Sequence, residues 1–196
     1  MAAKIYGNFL QAIKQASRVK RLWVYISSRR TRVPDVSQFP NLEELWIRGN
    51  TKHIDTFPCE VFSCGELRLL GLQGSSVTMI PKGISALTKL QQLVLMGNQL
   101  TALPTDLGRL SDLRHLNASV NKIERLPRHF GNLERLEILN LHTNKLRSLP
   151  NSVYKLTELQ HVELQLNVLR RRPKKLLCLP KLKHLHTDFK GVGRFE

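Results

Sequence analysis

The chain has 196 residues, is 41% hydrophobic and carries a formal net charge of +16, which suits one domain with a sizeable core. No run of 18 or more apolar residues occurs, so a membrane-spanning helix is excluded. The excess of Lys and Arg raises nucleic acid, anionic membrane and acidic protein as partner classes.

The N-terminal stretch lacks a continuous apolar core of the secretory kind, so no signal peptide is read there and the expected location is cytoplasmic, that is intracellular. Residues 2–17 read as a helix. Ile5, Phe9, Ala12, Ile13 and Ala16 recur at three- and four-residue steps, with Lys4, Asn8, Gln11 and Lys14 opposite. Residues 1–18 are expected to cap the open end of the region C-terminal to them, and a membrane-surface helix is the alternative.

From residue 19 to residue 189 one pattern recurs. Its copies begin at Val19, Leu42, Leu67, Leu90, Leu113, Leu136, Leu159 and Leu182, 23 residues apart except for 25 between Leu42 and Leu67. The clearest copy is LQQLVLMGNQLTALPTDLGRLSD, from Leu90 to Asp112. A fixed period of this size marks a repeat architecture. The first copy is degenerate: Leu22 and Val24 keep the apolar alternation, but Ser27 stands at the Asn place and Arg29-Arg30-Thr31-Arg32 replaces the apolar turn. The second has two extra residues near Thr51–Asp55, the third has Ser75 at the Asn place, and in the last Thr187 replaces Leu and Lys190 replaces Asn. Residues 190–196 form a tail without a recognisable cap. Either it packs in an unfamiliar way or the chain is part of a longer protein.

Within each copy the LxLxx segment alternates at the strand period. Successive strands must then be parallel, and the rest of each copy supplies the crossover that parallel pairing needs. Asn50, Asn98, Asn121, Asn144 and Asn167 are expected to turn inward and satisfy buried turn backbone with their amides.

The spelling LxxLxLxxNxLxxLPxxhxxLxx is met at Leu136, Leu139, Leu141, Asn144, Leu146, Leu149, Pro150, Val153 and Leu156. It resembles the leucine-rich repeat family, and the 23-residue length with "LP" at its middle resembles the intracellular, Ras-group-related class. The resemblance implies an α/β right-handed solenoid, with a concave parallel β-sheet and short helical or 3-10 crossovers on the convex side. It also implies a binding role, as in signalling scaffolds, plant immune receptors and bacterial effectors. Extracellular members carry four-cysteine caps at their ends. Only Cys59, Cys64 and Cys178 occur here, which suits a reducing setting. Cys59 and Cys64 read as small buried residues rather than a redox pair.

The third, fifth and seventh places of each copy should face outward from the concave sheet. The third-place row is Arg21, Glu44, Leu69, Gln92, His115, Ile138, His161 and His184. The fifth is Trp23, Trp46, Gly71, Val94, Asn117, Asn140, Glu163 and His186; the seventh is Tyr25, Arg48, Gln73, Met96, Ser119, His142, Gln165 and Asp188. Both tryptophans and five of the seven histidines fall on these rows, but only Arg21 and Arg48 of the 31 basic residues do. The candidate partner-binding residues are therefore Arg21, Trp23, Tyr25, Glu44, Trp46 and Arg48 at one end, of the types enriched in binding hot spots. Met96 adds an adaptable middle, and His142, His161, His184 and His186 mark the other end. If the N-terminal helix folds over the rings, they are buried instead.

His161, His184 and His186 with an acidic fourth ligand would suit Zn²⁺, but no CxxC or HExxH spacing accompanies them, so no metal is assigned. A pH-sensitive contact is the other reading of these histidines. No phosphate loop, nucleophile elbow or dinucleotide fingerprint occurs. No enzyme activity and no cofactor are expected. The pattern points to a non-catalytic module that binds a protein, acidic or with an apolar anchor, on the concave face. The rival reading is charge-driven binding of nucleic acid or anionic membrane through basic convex and edge positions such as Arg170-Arg171-Arg172-Pro173-Lys174-Lys175.

Overall fold

The computed structural model describes residues 12–26, 33–49 and 54–189. The readings for residues 2–11, Ser27, Arg29-Arg30-Thr31-Arg32, Asn50, the start of the insertion and the tail from Lys190 lie outside the described residues. The chain forms a single sheet of eight parallel strands in sequence order. They are β1 (Arg21–Ile26), β2 (Glu44–Gly49), β3 (Leu69–Gln73), β4 (Gln92–Val94), β5 (His115–Asn117), β6 (Ile138–Asn140), β7 (His161–Glu163) and β8 (His184–His186). Register follows the repeat: Arg21 pairs with Glu44, Trp23 with Trp46, Gln92 with His115 and His161 with His184. The two extra residues of the second copy are absorbed before β3, which still pairs Glu44 with Leu69. The third- and fifth-place rows expected from spacing are thus rows of the sheet, whereas the seventh place lies on a strand only in β1 to β3. β1 to β3 run five or six residues, whereas β4 to β8 run three.

Each crossover contains a short 3-10 turn, such as Lys82–Ala86, Thr105–Arg109 and Asn151–Lys155. Pro81, Pro104 and Pro150 precede these turns in extended conformation, where a residue without an N–H forfeits no bond. The inward residues Ile84, Leu107, Val153 and Leu176 are buried, as are the strand leucines Leu70, Leu93, Leu116 and Leu139. They form one continuous stripe rather than a ball, as expected where each repeat packs only on its neighbours.

The asparagines build the expected ladder. Asn121 Nδ2 donates to the carbonyls of Leu95 and Ala118 at 2.9 and 3.1 Å, and its Oδ1 accepts from Leu100 N at 3.0 Å. Asn144 repeats this on Ala118, Leu141 and Ile123 N, and Asn167 on Leu141, Leu164 and Leu146 N. The acceptor side stops at Asn98, whose Oδ1 is buried without a partner among the described residues. One repeat earlier Ser75 holds the place, too short to span the turn, and its hydroxyl donates to Gln73 O at 3.4 Å.

The residue before this ladder sits in the left-handed region. Gly74 and Gly97 have φ of 64° and 71°, but Val120, Thr143 and Leu166 are held at 53–54°. Two of these are β-branched, for which the conformation is strained. The ladder over-determines the turn and so keeps them there.

The thiols divide. Cys64 is buried, and burial pushes it up to about 11. Cys59 is exposed, against the expectation of a buried residue, because it opens the Cys59–Ser63 turn on the outside of the crossover. Both are free.

Candidate protein-interaction face

At the N-terminal end the first two strands raise Trp23, Tyr25, Trp46 and Arg48 around a hollow of about 580 Å³. Period-2 alternation puts these side chains on one face, and the shared register puts Trp23 beside Trp46. The Trp46 ring leans the other way, over β3. A Cβ at Gly71 would collide with the six-membered ring of Trp46, so the glycine is the seat of the ring. Gly71 is therefore buried rather than exposed, which corrects its place among the outward residues.

The charged members of this end are paired. Arg21 Nε lies 3.0 Å from Glu44 Oε1. Arg48 donates from Nε and Nη2 to Gln73 Oε1 at 3.0 and 2.8 Å. What is left over is aromatic: Tyr25 is 61% exposed, and Trp23 and Trp46 are half-buried. Met96, beyond the Arg48–Gln73 pair in its row, is 38% exposed.

In the middle, the outward residues Asn117 and Asn140 also bond to backbone. Their Oδ1 atoms accept from Ser119 N and His142 N, each at 3.0 Å, and so close the turns that follow β5 and β6. Ser119 also donates its hydroxyl to Asn117 at 2.7 Å and is buried, a second correction to the outward rows. A polar residue two places before the turn was the signal for this contact.

At the C-terminal end the histidines partner one another. His161 and His184 stack with centroids 4.6 Å apart and planes 14° from parallel. His186 Nδ1 lies 2.7 Å from Glu163 Oε1. Desolvation, and then the charge of His184, hold His161 below its ordinary value. Among the described residues no three His, Cys, Asp or Glu are placed to hold a metal ion. Asp188 is exposed, as expected of its row, and it also accepts from Leu166 N and Asn167 N at 3.1 and 3.4 Å. Its carboxylate stands where another repeat's carbonyls bond in the interior of the sheet, as Gln165 O does to Thr143 N.

The flank of the solenoid carries a ladder of exposed ion pairs one repeat apart, including Lys89–Glu66, Arg135–Asp112 and Lys181–Glu158. Each is worth about 0–1 kcal/mol. They commit many of the carboxylates and leave the basic excess elsewhere. Among the described residues no helix is long and apolar enough to cross a membrane.

No family model matches the chain, and no curated protein matches its sequence. Solved structures do. A leucine-rich repeat protein of Leptospira interrogans is 28% identical with a TM-score of 0.75, over 95% of this chain and 53% of that one. The plant peptide hormone receptor RGFR1, solved in complex with RGF2, is 28% identical with a TM-score of 0.75, over 86% of this chain and 28% of that one. The leucine-rich repeat ectodomain of the Arabidopsis thaliana membrane receptor kinase GASSHO1/SCHENGEN3, in complex with CASPARIAN STRIP INTEGRITY FACTOR 2, is 26% identical with a TM-score of 0.78, over 91% of this chain and 22% of that one. The chain thus spans about half or less of the length of these proteins. Eight parallel strands in repeat register, a buried asparagine ladder and these likenesses make the chain a leucine-rich repeat solenoid.

Proposed function

We propose that this solenoid engages a protein partner on its concave face, with Trp23, Tyr25, Trp46 and Arg48 as the anchors, and that it acts by binding rather than by catalysis. The observation that carries the reading is the N-terminal hollow, where aromatic surface stands open beside an oriented guanidinium. Trp, Tyr and Arg in a shared hollow are the composition of a binding hot spot. The anchors stand on strands paired in fixed register over six residues, so little ordering entropy opposes association. Two of the similar solenoids are receptors solved with RGF2 and with CASPARIAN STRIP INTEGRITY FACTOR 2, which favours a protein or peptide as the class of partner. The 23-residue "LP" class and an intracellular setting belong to the same reading, in keeping with three free thiols.

The test is affinity capture from cytosolic lysate at moderate salt with nuclease added, comparing the native chain with Trp23→Ala/Trp46→Ala. A discrete protein should be recovered by the first and lost by the second, with affinity down about 100-fold for two lost anchors. Capture by the double variant would refute the anchor assignment. Equal recovery that vanishes as salt rises would transfer the activity to the basic surface.

A further inference from the structure

A second hollow, of about 850 Å³, opens on the crossover side at Arg147 and the run from Leu169 to Lys175. Its origin is a break in the repeat. The place filled by the buried residues Ile80, Leu103 and Leu126 is taken by Arg172. Pro173 has ψ of 58°, whereas Pro81, Pro104 and Pro150 have 150–156°. The seventh crossover therefore does not close on the core as its predecessors do. Leu149 and Leu169 are left half-buried on the floor of the hollow, although their counterparts Leu126 and Leu146 are buried.

Arg147, Arg170, Arg171, Lys174 and Lys175 surround this floor, and among the described residues no carboxylate lines it. Among the described residues none of these five forms an ion pair. The neighbouring acid is Glu124, which lies on the adjoining edge that Arg147 shares with Arg125 and not in the hollow itself. Lys175 Nζ lies 5.7 Å from the Tyr154 ring centroid, a cation–π contact that steadies the amine at the rim. Five like charges around one hollow repel each other, and a ligand carrying several clustered negative charges relieves that repulsion. Arginine forks suit phosphate oxygens in particular.

The volume falls in the range of small-ligand sites, roughly 300–1,000 Å³. The basic track thins at the adjoining edge, which shares Arg147 and Ser148 with the hollow and adds one further cation, Arg125, beside Thr101, Ala102 and the carboxylate of Glu124. A nucleic-acid strand needs a long basic groove with stacking rings along it, whereas a compact anion needs only this hollow. We propose that the Arg147–Lys175 hollow binds a compact oligophosphate, several phosphate groups carried on one small scaffold, whether free or as a lipid headgroup.

Calorimetric titration with inositol hexakisphosphate and with inorganic tripolyphosphate, at about 0.15 M salt, tests this on the full chain. One ligand per chain is expected. Arg147→Ala/Arg170→Ala/Lys174→Ala should weaken binding by about tenfold or more, through lost charge-assisted bonds. Lys82→Ala/Lys122→Ala/Lys145→Ala removes the same charge elsewhere and should change it less than about twofold. The single variant Arg171→Glu, with circular dichroism on all forms, separates loss of the site from loss of fold. Equal weakening by the two triple variants, or no binding of either probe, would overturn the proposal. So would tight binding of single-stranded RNA that neither compact probe displaces. Vesicles containing phosphatidylinositol bisphosphate identify the source: sedimentation competed by the hexakisphosphate marks a headgroup, and absence of sedimentation alongside soluble binding marks a free ligand.

Discussion

The two ends of the concave face are built on one scaffold in one register, yet they offer different chemistry. At the N-terminal end Trp23, Tyr25 and Trp46 keep aromatic surface open around their hollow, and only the charged neighbours pair off. At the C-terminal end the side chains satisfy each other: His161 stacks on His184, His186 meets Glu163, and Asp188 is turned onto backbone N–H groups. Both ends hold residue types associated with recognition. The difference teaches that what a face can bind depends on what its side chains have not already spent on one another. Exposed π-surface has few internal partners of comparable worth, whereas imidazole and carboxylate find them one strand away.

The shared scaffold is the first thing to break. Leu139 lies fully buried on β6, between the two ends. Leu139→Ala should cost about 2–5 kcal/mol, read by chemical denaturation, while Trp23→Ala/Trp46→Ala leaves stability much less changed. A near-zero effect for Leu139 would contradict the assigned register. Next, Gly71→Ala drives a methyl into the Trp46 ring and should cost about 1–3 kcal/mol as overpacking. Tryptophan emission should shift to the red as the ring leaves its seat, and unchanged emission would show that Trp46 does not depend on Gly71.

The smallest effect belongs to the histidine end. His161 lies below its ordinary value of 6.5 because of desolvation first, then the charges of His184, Lys183 and His186, with Glu163 opposing them. The folded state therefore binds the proton less readily than the unfolded chain. The contribution of this group is present above about pH 6.5 and is lost as pH falls through the folded value. Tm should decline modestly from about pH 7.5 to about pH 5.5, and His161→Gln should flatten that decline. An unaltered slope in the variant would remove the stack as its cause.

Much of the fold was legible because a repeat states each contact several times. Leu93, Leu116, Leu139 and Val162 occupy equivalent inward places in successive strands. Asn121, Asn144 and Asn167 likewise repeat one set of bonds. The left-handed turn was also written in Gly74 and Gly97, but Val120, Thr143 and Leu166 concealed it, since their own preferences oppose that conformation. The site was legible only as rows. That Asn117 and Asn140 bend onto the following turn, or that Cys59 faces outward, depends on which groups lie within bonding reach in space.

By itself the sequence determined the strands, their parallel order, the pairing of Trp23 with Trp46 and of His161 with His184, and the burial of the inward strand leucines. Those features arise from backbone periodicity, which acts along the chain and is reinforced at every copy. Only the tertiary structure decided that Trp46 rests on Gly71, that Asp188 closes the last turn, and that Arg172 opens a basic hollow where a leucine would have sealed the core. Side-chain direction is set by competition among neighbours from different repeats, and such neighbours meet only once the solenoid has stacked.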